Sequence, residues 1–414
     1  MTDTRALGER TQAMIDALAS ITAEPGKLTR LYLTPEHKRA AHLVGDWMRK
    51  AGLAVRMDAA GTMHGLLAGD GPKRLLVGSH IDTVIDGGRY DGNLGVVAGI
   101  VAAEELLTRN VRLPFGVEVL AFGDEEGVRF PKTLFGSSTV AGVLEPAMLD
   151  LVDANGGRIK DALLAFGGDP AALAAEAYRP GEVIGYLELH IEQGPVLEQA
   201  GETLGVVSAI ASQGRYRLHA RGEAGHAGTV PMALRHDALA AAAEVIALVE
   251  EIALKGEKHS LVATVGEISV LPGASNVIPG EARFSLDIRA PEDTVRSAAA
   301  AEIRGRIRQI GARRGVIIGM ETVHEKPVAV AAPRMRAAVA KGIAAVTGKK
   351  PREMMSGAGH DGQAMVRLTD IGMIFVRCRA GISHNPLEFV SIEDLGLAVE
   401  ALIQTIVELG RERG

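Results

Sequence analysis

Short apolar runs alternate with helical patterns along the first half of the chain. Runs such as Arg74–Gly78 (RLLVG), Val117–Gly123 (VEVLAFG) and Ile184–His190 (IGYLELH) have the length and composition of buried strands. Between them lie segments such as GVVAGIVAAEELLTRN, with small and apolar residues at helical spacing. This alternation continues to about residue 210 and predicts an α/β fold in which helices flank a mostly parallel sheet.

The pattern changes between residues 212 and 328. There the predicted order is a strand, a helix, two strands around the turn PGASNVIPG, a second helix that starts near Pro291, and a final strand GVIIGMETV. This β-α-β-β-α-β order is the split βαβ arrangement, and it predicts an inserted α+β domain. The sequence therefore predicts a first domain over 1–211 and 329–414, which closes with the strand IGMIFVRC and a long helix, and a second domain over 212–328.

Polar side chains cluster where the predicted strands end. RLLVG is followed by His80 and Asp82, VEVLAFG by the acidic run DEEG, IGYLEL by His190, and IGMIFVRC by a loop that contains His384. Asp91 follows the first cluster, after the glycine-rich loop and just before a helix. Because ligands bind at the carboxyl edge of open parallel sheets, we expect these side chains to converge there.

Three histidines and several carboxylates around one point favour a borderline divalent cation. Zinc is the first expectation, and manganese, cobalt and nickel are alternatives. The ligands suffice for two ions, with a carboxylate able to bridge them, which favours a hydrolytic site. Water has a pKa of about 15.7, and coordination to such a cation lowers it to about 7, so that water becomes a nucleophile at neutral pH.

Each cluster taken alone has an ordinary explanation. A His-x-Asp pair is usually loop chemistry, adjacent acids are usually a solvated turn, and GGRYDG is typical of a turn. The recurrence of polar groups at the ends of separate strands is what favours a shared site. The segment GAGHDG (Gly357–Gly362) matches the glycine spacing of a dinucleotide-binding loop, but PREMMS before it is not predicted to be a strand, which argues against nucleotide binding.

Composition argues against several other classes of protein. The net charge of -6 comes from acidic and basic residues that are mixed along the chain, so no basic block is present to follow a nucleic-acid backbone. No apolar run approaches the roughly 18 residues needed to span a membrane, and the N-terminal segment lacks the apolar centre of a signal peptide. The single cysteine, Cys378, lies on an apolar strand and is expected to be a buried structural thiol, which favours a reducing cytoplasm.

Five motifs together resemble one family. In order, and across nearly the whole chain, the sequence contains GSHIDTVIDGGRYDGNLGVVAGI, FGDEEGVRFP, LELHIEQGPVLE, SGAGHDGQAM and GISHNPLEF. These motifs are similar to those of the hydantoinase/carbamoylase family of amidases, which includes N-carbamoyl-L-amino-acid hydrolases, β-ureidopropionases and allantoate amidohydrolases. That family is a branch of the di-zinc aminoacylase-like metallopeptidases. The resemblance implies that the inserted domain is a lid and dimerisation domain.

The resemblance also implies ligands for two divalent ions. His80, Asp91 and His190 would hold the first ion, and Asp91 would bridge to a second ion bound by Glu126 and His384. No expected ligand is missing, which favours an active enzyme over a non-catalytic, metal-stabilised binding protein.

Residues beside these ligands receive roles by the same resemblance. Glu125 would be the general base that takes a proton from the nucleophilic water and passes it to the leaving nitrogen. Asp82 would clamp the His80 imidazole and set its tautomer. His190 stands where peptidase relatives usually have an acidic residue, and Gln193 suits a ureido group. This pair favours ureido hydrolysis over dipeptide cleavage.

The remaining implied residues would bind the substrate. His226 (in GEAGHAG), Asn276 (in GASNVIPG) and Arg289 (in FSLDIRA) lie in the inserted domain, and Gly357 and His360 (in SGAGHDG) lie in the first domain. Arg289 suits a carboxylate because its guanidinium can donate two parallel hydrogen bonds, although a surface salt bridge is its ordinary role. The resemblance implies that His226 reaches the active site of the partner subunit in a homodimer.

The sequence therefore predicts a metal-dependent amidohydrolase. It would cleave the carbamoyl C–N bond of an N-carbamoyl-L-amino acid or a related ureido acid, with release of carbon dioxide and ammonia. An allantoate amidohydrolase is the first alternative, and an aminoacylase or dipeptidase of the same superfamily is the second. The motifs do not separate these substrates, because specificity depends on the shape of the pocket.

Overall fold

The computed structural model describes residues 3–412 and shows two compact units. The first unit ends at Ser208 and resumes at Val330, and the second comprises Ala209–Ala329. Each unit has its own hydrophobic core. The catalytic role of the first unit and the lid and dimerisation roles of the second stay predictions.

Strands and helices alternate along most of the described chain. The strands are β1 (Ala54–Met57), β2 (Met63–Leu67), β3 (Arg74–His80), β4 (Gly116–Phe122), β5 (Val183–Ile191), β6 (Leu204–Ile210), β7 (Ser212–Arg221), β8 (Gly225–His226), β9 (Val262–Thr264), β10 (Ile268–Leu271), β11 (Val277–Ile278), β12 (Glu281–Ala290), β13 (Ile317–Lys326), β14 (Ala329–Val330), β15 (Arg352–Ser356) and β16 (Ile371–Val376). The helices are α1 (Thr4–Ala19), α2 (Pro35–Lys50), α3 (Asn93–Thr108), α4 (Phe135–Val140), α5 (Ile159–Phe166), α6 (Val196–Ala200), α7 (Ala238–Lys255), α8 (Asp293–Arg314), α9 (Pro333–Thr347), α10 (Gly362–Met365) and α11 (Ile392–Arg411).

The first unit is built on a nine-stranded sheet. Its strand order is β1-β2-β4-β3-β5-β16-β6-β14, and β15 pairs with β6. The central strands β4, β3, β5 and β16 are parallel, and the antiparallel strands β2 and β6 flank them. Every residue of β4, β5 and β16 is buried, as expected for parallel strands that are covered on both faces. The predicted α/β fold with a mostly parallel sheet is confirmed.

Helices cover this sheet because their sequences provide apolar surfaces and defined ends. α3 is buried along most of its length, as its run of small and apolar residues predicts, and it contacts β3, β4 and β5. α11 packs against α1, α3 and α9. The Ser391 side chain caps α11 by accepting a hydrogen bond from the backbone N–H of Asp394 at 3.1 Å.

The register of the central strands aligns their carboxyl ends. His80 is the last residue of β3 and lies opposite Phe122, the last residue of β4. His190 in β5 lies opposite Phe375 in β16. The loops that follow these strands therefore leave from one edge of the sheet, where the sequence predicts that the ligands converge.

One segment that was not predicted as a strand is a strand. PREMMS contains β15, whose first two residues, Arg352 and Glu353, are exposed, so the run lacks the apolar pattern of a buried strand. The helix after GAGHDG, α10, has only 4 residues. A dinucleotide-binding unit needs a full helix after its glycine loop. Because PREMMS does contain a strand, the argument against nucleotide binding depends on the shortness of α10 and no longer on the missing strand.

The second unit is an antiparallel sheet with two helices. The sheet order is β10-β12-β7-β13, with β9 beside β12, and β8 pairs separately with β11. α7 and α8 contact each other and this sheet. Their buried residues join those of β7 and β12 in one core. The main elements follow the predicted split βαβ order, and β8, β9 and β11 are short additions to it.

The helices and the single cysteine bear on membrane insertion and thiol chemistry. None of the helices described for residues 3–412 combines the length and the apolar character that a bilayer span requires. Cys378 is buried, and burial raises the pKa of its thiol to about 11. Cys378 is therefore a structural residue rather than a nucleophile, as predicted.

Candidate metal centre

Two histidines and an aspartate meet at the carboxyl edge of the first unit's sheet. His80 ends β3, His190 belongs to β5, and Asp91 lies in the loop before α3. Asp91 Oδ1 lies 3.6 Å from His80 Nε2 and 3.2 Å from His190 Nε2. All three side chains are buried. Because their ligand atoms all lie within 4.8 Å of one another, they can hold a metal ion.

The second oxygen of Asp91 faces a different pair of side chains. Asp91 Oδ2 lies 3.3 Å from His384 Nε2, which lies 3.5 Å from Glu126 Oε2. These three residues form a second group with metal-ligand spacing. Glu126 Oε1 is buried and has no hydrogen-bond partner within residues 3–412. A carboxylate that turns one oxygen toward each group has the arrangement required to bridge two cations.

The charges of this cluster fit a cation. Burial tends to raise the pKa of Asp91, but hydrogen bonds with three imidazoles lower it well below its usual range. Burial, followed by the charge of Asp91, raises the pKa of Glu126 well above its usual range. Burial lowers the pKa of His80, but the hydrogen bond with Asp91 and the surrounding carboxylates raise it well above its usual value. The cluster thus brings together acidic and basic side chains whose ionisation is strongly coupled, and these are groups that a divalent cation can bind.

Asp82 organises the neighbouring loop. Its Oδ1 and Oδ2 accept hydrogen bonds from the backbone N–H groups of Glu125 and Glu126, each at 3.3 Å. His80 Nδ1 lies 3.0 Å from the backbone carbonyl oxygen of Asp82 and 3.7 Å from its Oδ1. The carbonyl oxygen thus takes the hydrogen bond expected for the Asp82 carboxylate, because the carboxylate is engaged by the turn after β4.

Gln193 lies inside the cluster. Its Nε2 donates to Asp91 Oδ2 at 2.8 Å and to Ser383 Oγ at 3.2 Å. Its Oε1 is buried and accepts no hydrogen bond from the part of the chain that the structure describes. The Gln193 backbone is left-handed, with φ 57°, which is uncommon for a residue other than glycine. The structure thus holds an amide with an unmet acceptor beside Asp91.

His360 belongs to the wall behind His190. Its ring packs against the ring of His190 in a T-shaped arrangement, with 4.4 Å between centroids, and its Nε2 lies 2.6 Å from Ser356 Oγ. Glu188, His190 and His360 form a third group with metal-ligand spacing. The space into which a side chain at Gly357 would project is open. Gly357 therefore borders open space, whereas His360 is enclosed.

Within the second unit, two of the three predicted residues lie together. His226 ends β8 and lies opposite the residue that follows Asn276, and both side chains are exposed. Arg289 pairs with Asp287, through Nε to Oδ1 at 2.8 Å and Nη2 to Oδ2 at 3.2 Å. β11, which pairs with β8, lies just before β12 in the chain, whereas Arg289 lies near the end of β12. At about 3.3 Å per residue, Arg289 is on the order of 25 Å from His226.

A buried arginine that the sequence reasoning did not single out links two ligand loops. The Arg30 guanidinium donates to the carbonyl oxygen of Ile81 at 2.7 Å and to Asn93 Oδ1 at 2.6 Å. Ile81 follows His80, and Asn93 lies two residues after Asp91, so one side chain holds both loops. Burial lowers the pKa of Arg30 to about 10. The signal in the sequence is an arginine inside the largely apolar segment LTRLYL.

Two buried carboxylates behind the site were also not singled out. Glu388 accepts hydrogen bonds from two backbone N–H groups of the Asp91 loop, and burial together with the charge of Asp91 raises its pKa to about 7. Burial likewise raises the pKa of Glu188. Alternation along LELH could have indicated Glu188, because it shares a strand face with His190. Glu388 has no such signal, since NPLEF resembles an ordinary loop.

Comparison with known proteins agrees with this geometry. The sequence model of peptidase family M20/M25/M40 matches residues 76–408. An allantoate deiminase from Arabidopsis thaliana is 39% identical over 96% of this chain and 82% of its own length. An N-carbamoyl-L-amino acid amidohydrolase from Geobacillus stearothermophilus is 39% identical over 98% of this chain and 99% of its own. The crystal structure of a hydantoinase/carbamoylase family amidase from Burkholderia multivorans is 32% identical, covers 97% of this chain and 98% of its own, and gives a TM-score of 0.90.

These similarities confirm the resemblance seen in the motifs and the predicted enzyme class, a hydrolase of carbon–nitrogen bonds other than peptide bonds. They also agree with a metal-dependent site, since the candidate ligand groups lie within the matched residues. The matched region includes β4, β5 and β16 and all but the first two residues of β3, the strands whose ends carry the cluster around Asp91. The chain therefore belongs to the M20/M25/M40 family of peptidases.

Proposed function

We propose that this chain hydrolyses the carbamoyl C–N bond of a small N-carbamoyl (ureido) acid and releases carbon dioxide and ammonia. The observation that carries the proposal is the position of Asp91, whose two oxygens lie 3.2 Å from His190 Nε2 and 3.3 Å from His384 Nε2. The names of the relatives support the ureido class, because one is an N-carbamoyl-L-amino acid amidohydrolase and another is an allantoate deiminase.

Two divalent cations fit the residues of this site. His80, His190 and Asp91 would hold one cation, and Asp91, Glu126 and His384 would hold the other. The buried Glu126 oxygen that has no protein partner among residues 3–412 supports the second assignment. Imidazole and carboxylate ligands suit zinc, with manganese, cobalt and nickel as alternatives. When bound, such cations lower the pKa of water and polarise a carbonyl group.

Glu125 would carry the proton transfer. Its carboxylate would take a proton from the attacking water and pass it to the leaving nitrogen. Asp82 supports this position by accepting a hydrogen bond from the Glu125 backbone N–H at 3.3 Å. The side chain of Glu126, the next residue, is only 7% exposed, which supports a ligand role for Glu126.

Polar groups of both units would bind the substrate. Gln193, with its unmet amide oxygen beside Asp91, would bind the ureido nitrogen, and Gly357 and His360 would line the pocket. Arg289 would grip the substrate carboxylate with its guanidinium, which Asp287 holds in one plane through two hydrogen bonds.

The active enzyme would be a homodimer. His226 and Asn276 would polarise the scissile carbonyl, yet His226 lies on the order of 25 Å from Arg289 within one chain. A small ureido acid cannot span that distance. The separation therefore supports a site in which Arg289 comes from one chain and the partner subunit's His226 and the partner subunit's Asn276 complete it. The single, buried cysteine, Cys378, suits the cytoplasm as the compartment.

Allantoate is the second candidate substrate. Two allantoate deiminases from Glycine max are each 40% identical over 97% of this chain, so sequence similarity alone does not separate allantoate from N-carbamoyl amino acids. An aminoacylase or dipeptidase activity is the weaker alternative, because His190 and Gln193 favour a ureido group.

Ammonia release tests the proposal. The protein would be loaded in turn with zinc, manganese, cobalt or nickel and given N-carbamoyl-L-amino acids, N-carbamoyl-β-alanine, allantoate and one dipeptide. We expect ammonia from at least one ureido acid and no amino acid from the dipeptide. Dipeptide cleavage without ammonia release would show a dipeptidase activity in place of ureido hydrolysis, and no turnover with any substrate and metal would refute an enzymatic function.

A further inference from the structure

Glu388 is a buried carboxylate that the proposed reaction does not use. Its side chain is 4% exposed. Its Oε1 accepts hydrogen bonds from the backbone N–H groups of Tyr90 at 2.7 Å and Asp91 at 3.1 Å, and its Oε2 lies 3.2 Å from Ser383 Oγ. Glu388 therefore holds the main chain of the residue that faces both groups of candidate metal ligands.

Ser383 extends this contact to the Asp91 side chain. Its Oγ lies 2.9 Å from Asp91 Oδ2, the oxygen that faces His384. Gln193 Nε2 donates to the same Asp91 oxygen at 2.8 Å and to Ser383 Oγ at 3.2 Å. Both the backbone and the carboxylate of Asp91 are thus restrained by a network that ends on Glu388.

This network joins two loops that are distant in sequence. Ser383 and Glu388 lie on either side of His384, while Tyr90 and Asp91 lie 298 and 297 positions before Glu388. The loops approach so closely that a Cβ on Gly88 would lie 2.2 Å from the Glu388 carboxyl carbon and 2.3 Å and 2.4 Å from its oxygens. A side chain at position 88 would therefore displace the Glu388 carboxylate from its present position. The close packing of Gly88 against the Glu388 carboxylate indicates a specific contact between the two loops.

We propose that Glu388 is a positioning residue for the second cation: through Tyr90, Asp91 and Ser383 it sets the spacing of Asp91 and His384. This proposal rests on the metal-dependent function proposed above. In this proposal the length of the Glu388 side chain, rather than its charge, determines how tightly the second cation binds. A carboxylate that only stabilises the loop would change the unfolding temperature without changing one cation site in particular.

Four variants separate these possibilities. Glu388→Asp keeps the charge but is one methylene shorter, and Glu388→Gln keeps the length and an acceptor oxygen without the charge. Ser383→Ala removes the link to the Asp91 carboxylate. Glu393→Gln is the matched control, because Glu393 lies five residues further along with a side chain that is 64% exposed. Each metal-free protein would be titrated with zinc, and thermal unfolding would be recorded without metal.

We expect the parent and Glu393→Gln to bind two zinc ions, and Glu388→Gln to keep both affinities within about threefold. Glu388→Asp and Ser383→Ala should weaken one site at least about tenfold, the lower end of what outer hydrogen-bond partners of metal ligands contribute. If Glu388→Asp binds both ions like the parent, or if Glu388→Gln is the weaker of the two, the positioning role of Glu388 is wrong. If the parent binds no second zinc ion, the proposed dinuclear site fails instead, and this inference fails with it.

Discussion

Gly92 offers a direct test of the geometry of the candidate metal centre. It follows Asp91 and adopts a left-handed φ of 65°. A Cβ at this position would lie 2.4 Å from Cε1 and Nδ1 of His80 and 2.5 Å from Nε2. Because non-bonded carbon atoms sit about 3.5–4.0 Å apart, Gly92→Ala must push the imidazole or the Asp91 loop by about 1 Å.

This displacement sets the size of the expected effect. His80 is 1% exposed, so its ring is enclosed by other parts of the protein. The Gly92 backbone, with φ 65° and ψ −51°, also lies outside the regions that alanine readily adopts, and this strain lowers stability in addition to the clash. A misplacement of about 1 Å at a reacting centre can lower the rate about 10²-fold. We therefore expect Gly92→Ala to weaken the site of His80 and His190 at least about tenfold and to lower turnover about a hundredfold.

A matched control separates strain from the clash. Gly348, after α9, has a φ of 69°, and nothing lies within 4 Å of its Cβ position. Gly348→Ala should therefore cost stability alone and keep metal affinity and turnover. The assay combines zinc titration of the metal-free protein, ammonia release and thermal unfolding for both variants. Parental zinc affinity and turnover in Gly92→Ala would show that His80 does not depend on this contact, and the proposed ligand geometry would be refuted.

Three other expectations address the remaining parts of the molecule. Glu125→Gln should keep two metal ions and the parental unfolding temperature but lose at least about 10² in turnover; near-normal turnover would remove Glu125 as the base. Arg289→Lys should raise KM about as much as Arg289→Ala, because a point charge does not replace the planar fork, and full affinity in the lysine variant would contradict two-point binding. Burial raises the pKa of Glu118, but hydrogen bonds from His64, Tyr178 and Arg74 lower it to about 2. Its contribution to stability is thus complete above its usual value of 4.5 and is lost as the pH falls toward 2. At about 1.4 kcal/mol per pKa unit, urea unfolding should show that Glu118→Gln loses roughly 3 kcal/mol less stability than the parent between about pH 6 and pH 2, and equal losses would refute this role.

Most of the fold can be predicted from the pattern of apolar and polar residues along the sequence. β4, β5 and β16 are read from continuous apolar runs because a parallel sheet buries both faces of its central strands. α11 matches its predicted segment, and Ser391 marks its start through a side-chain cap. β15 was not predicted, because the exposed charged residues at its start interrupt the apolar pattern of a buried strand. Its place in the sheet depends on pairing with β6 rather than on its own sequence pattern.

The types of the candidate metal ligands can also be read from the sequence, since His80 and His190 lie at the ends of apolar strands and His384 lies in the loop after another. The role of Asp82 is harder to predict from the sequence. Its sequence position suggests a carboxylate clamp on His80, whereas the folded chain turns that carboxylate toward the backbone of Glu125 and Glu126 and leaves its carbonyl oxygen to His80. The direction of a side chain depends on which donors the neighbouring loop presents, and those donors come from another strand.

Local sequence by itself determined the central strands, the long helices and the chemical character of the loops, because these depend on residues that are near one another along the chain. Only the tertiary structure decided that Asp91 turns one oxygen toward His190 and the other toward His384. It also decided that Arg30, Ser383 and Glu388 hold these loops in place. Such contacts join residues up to 298 positions apart, and no local pattern encodes them, since they form only after the strands have paired in register.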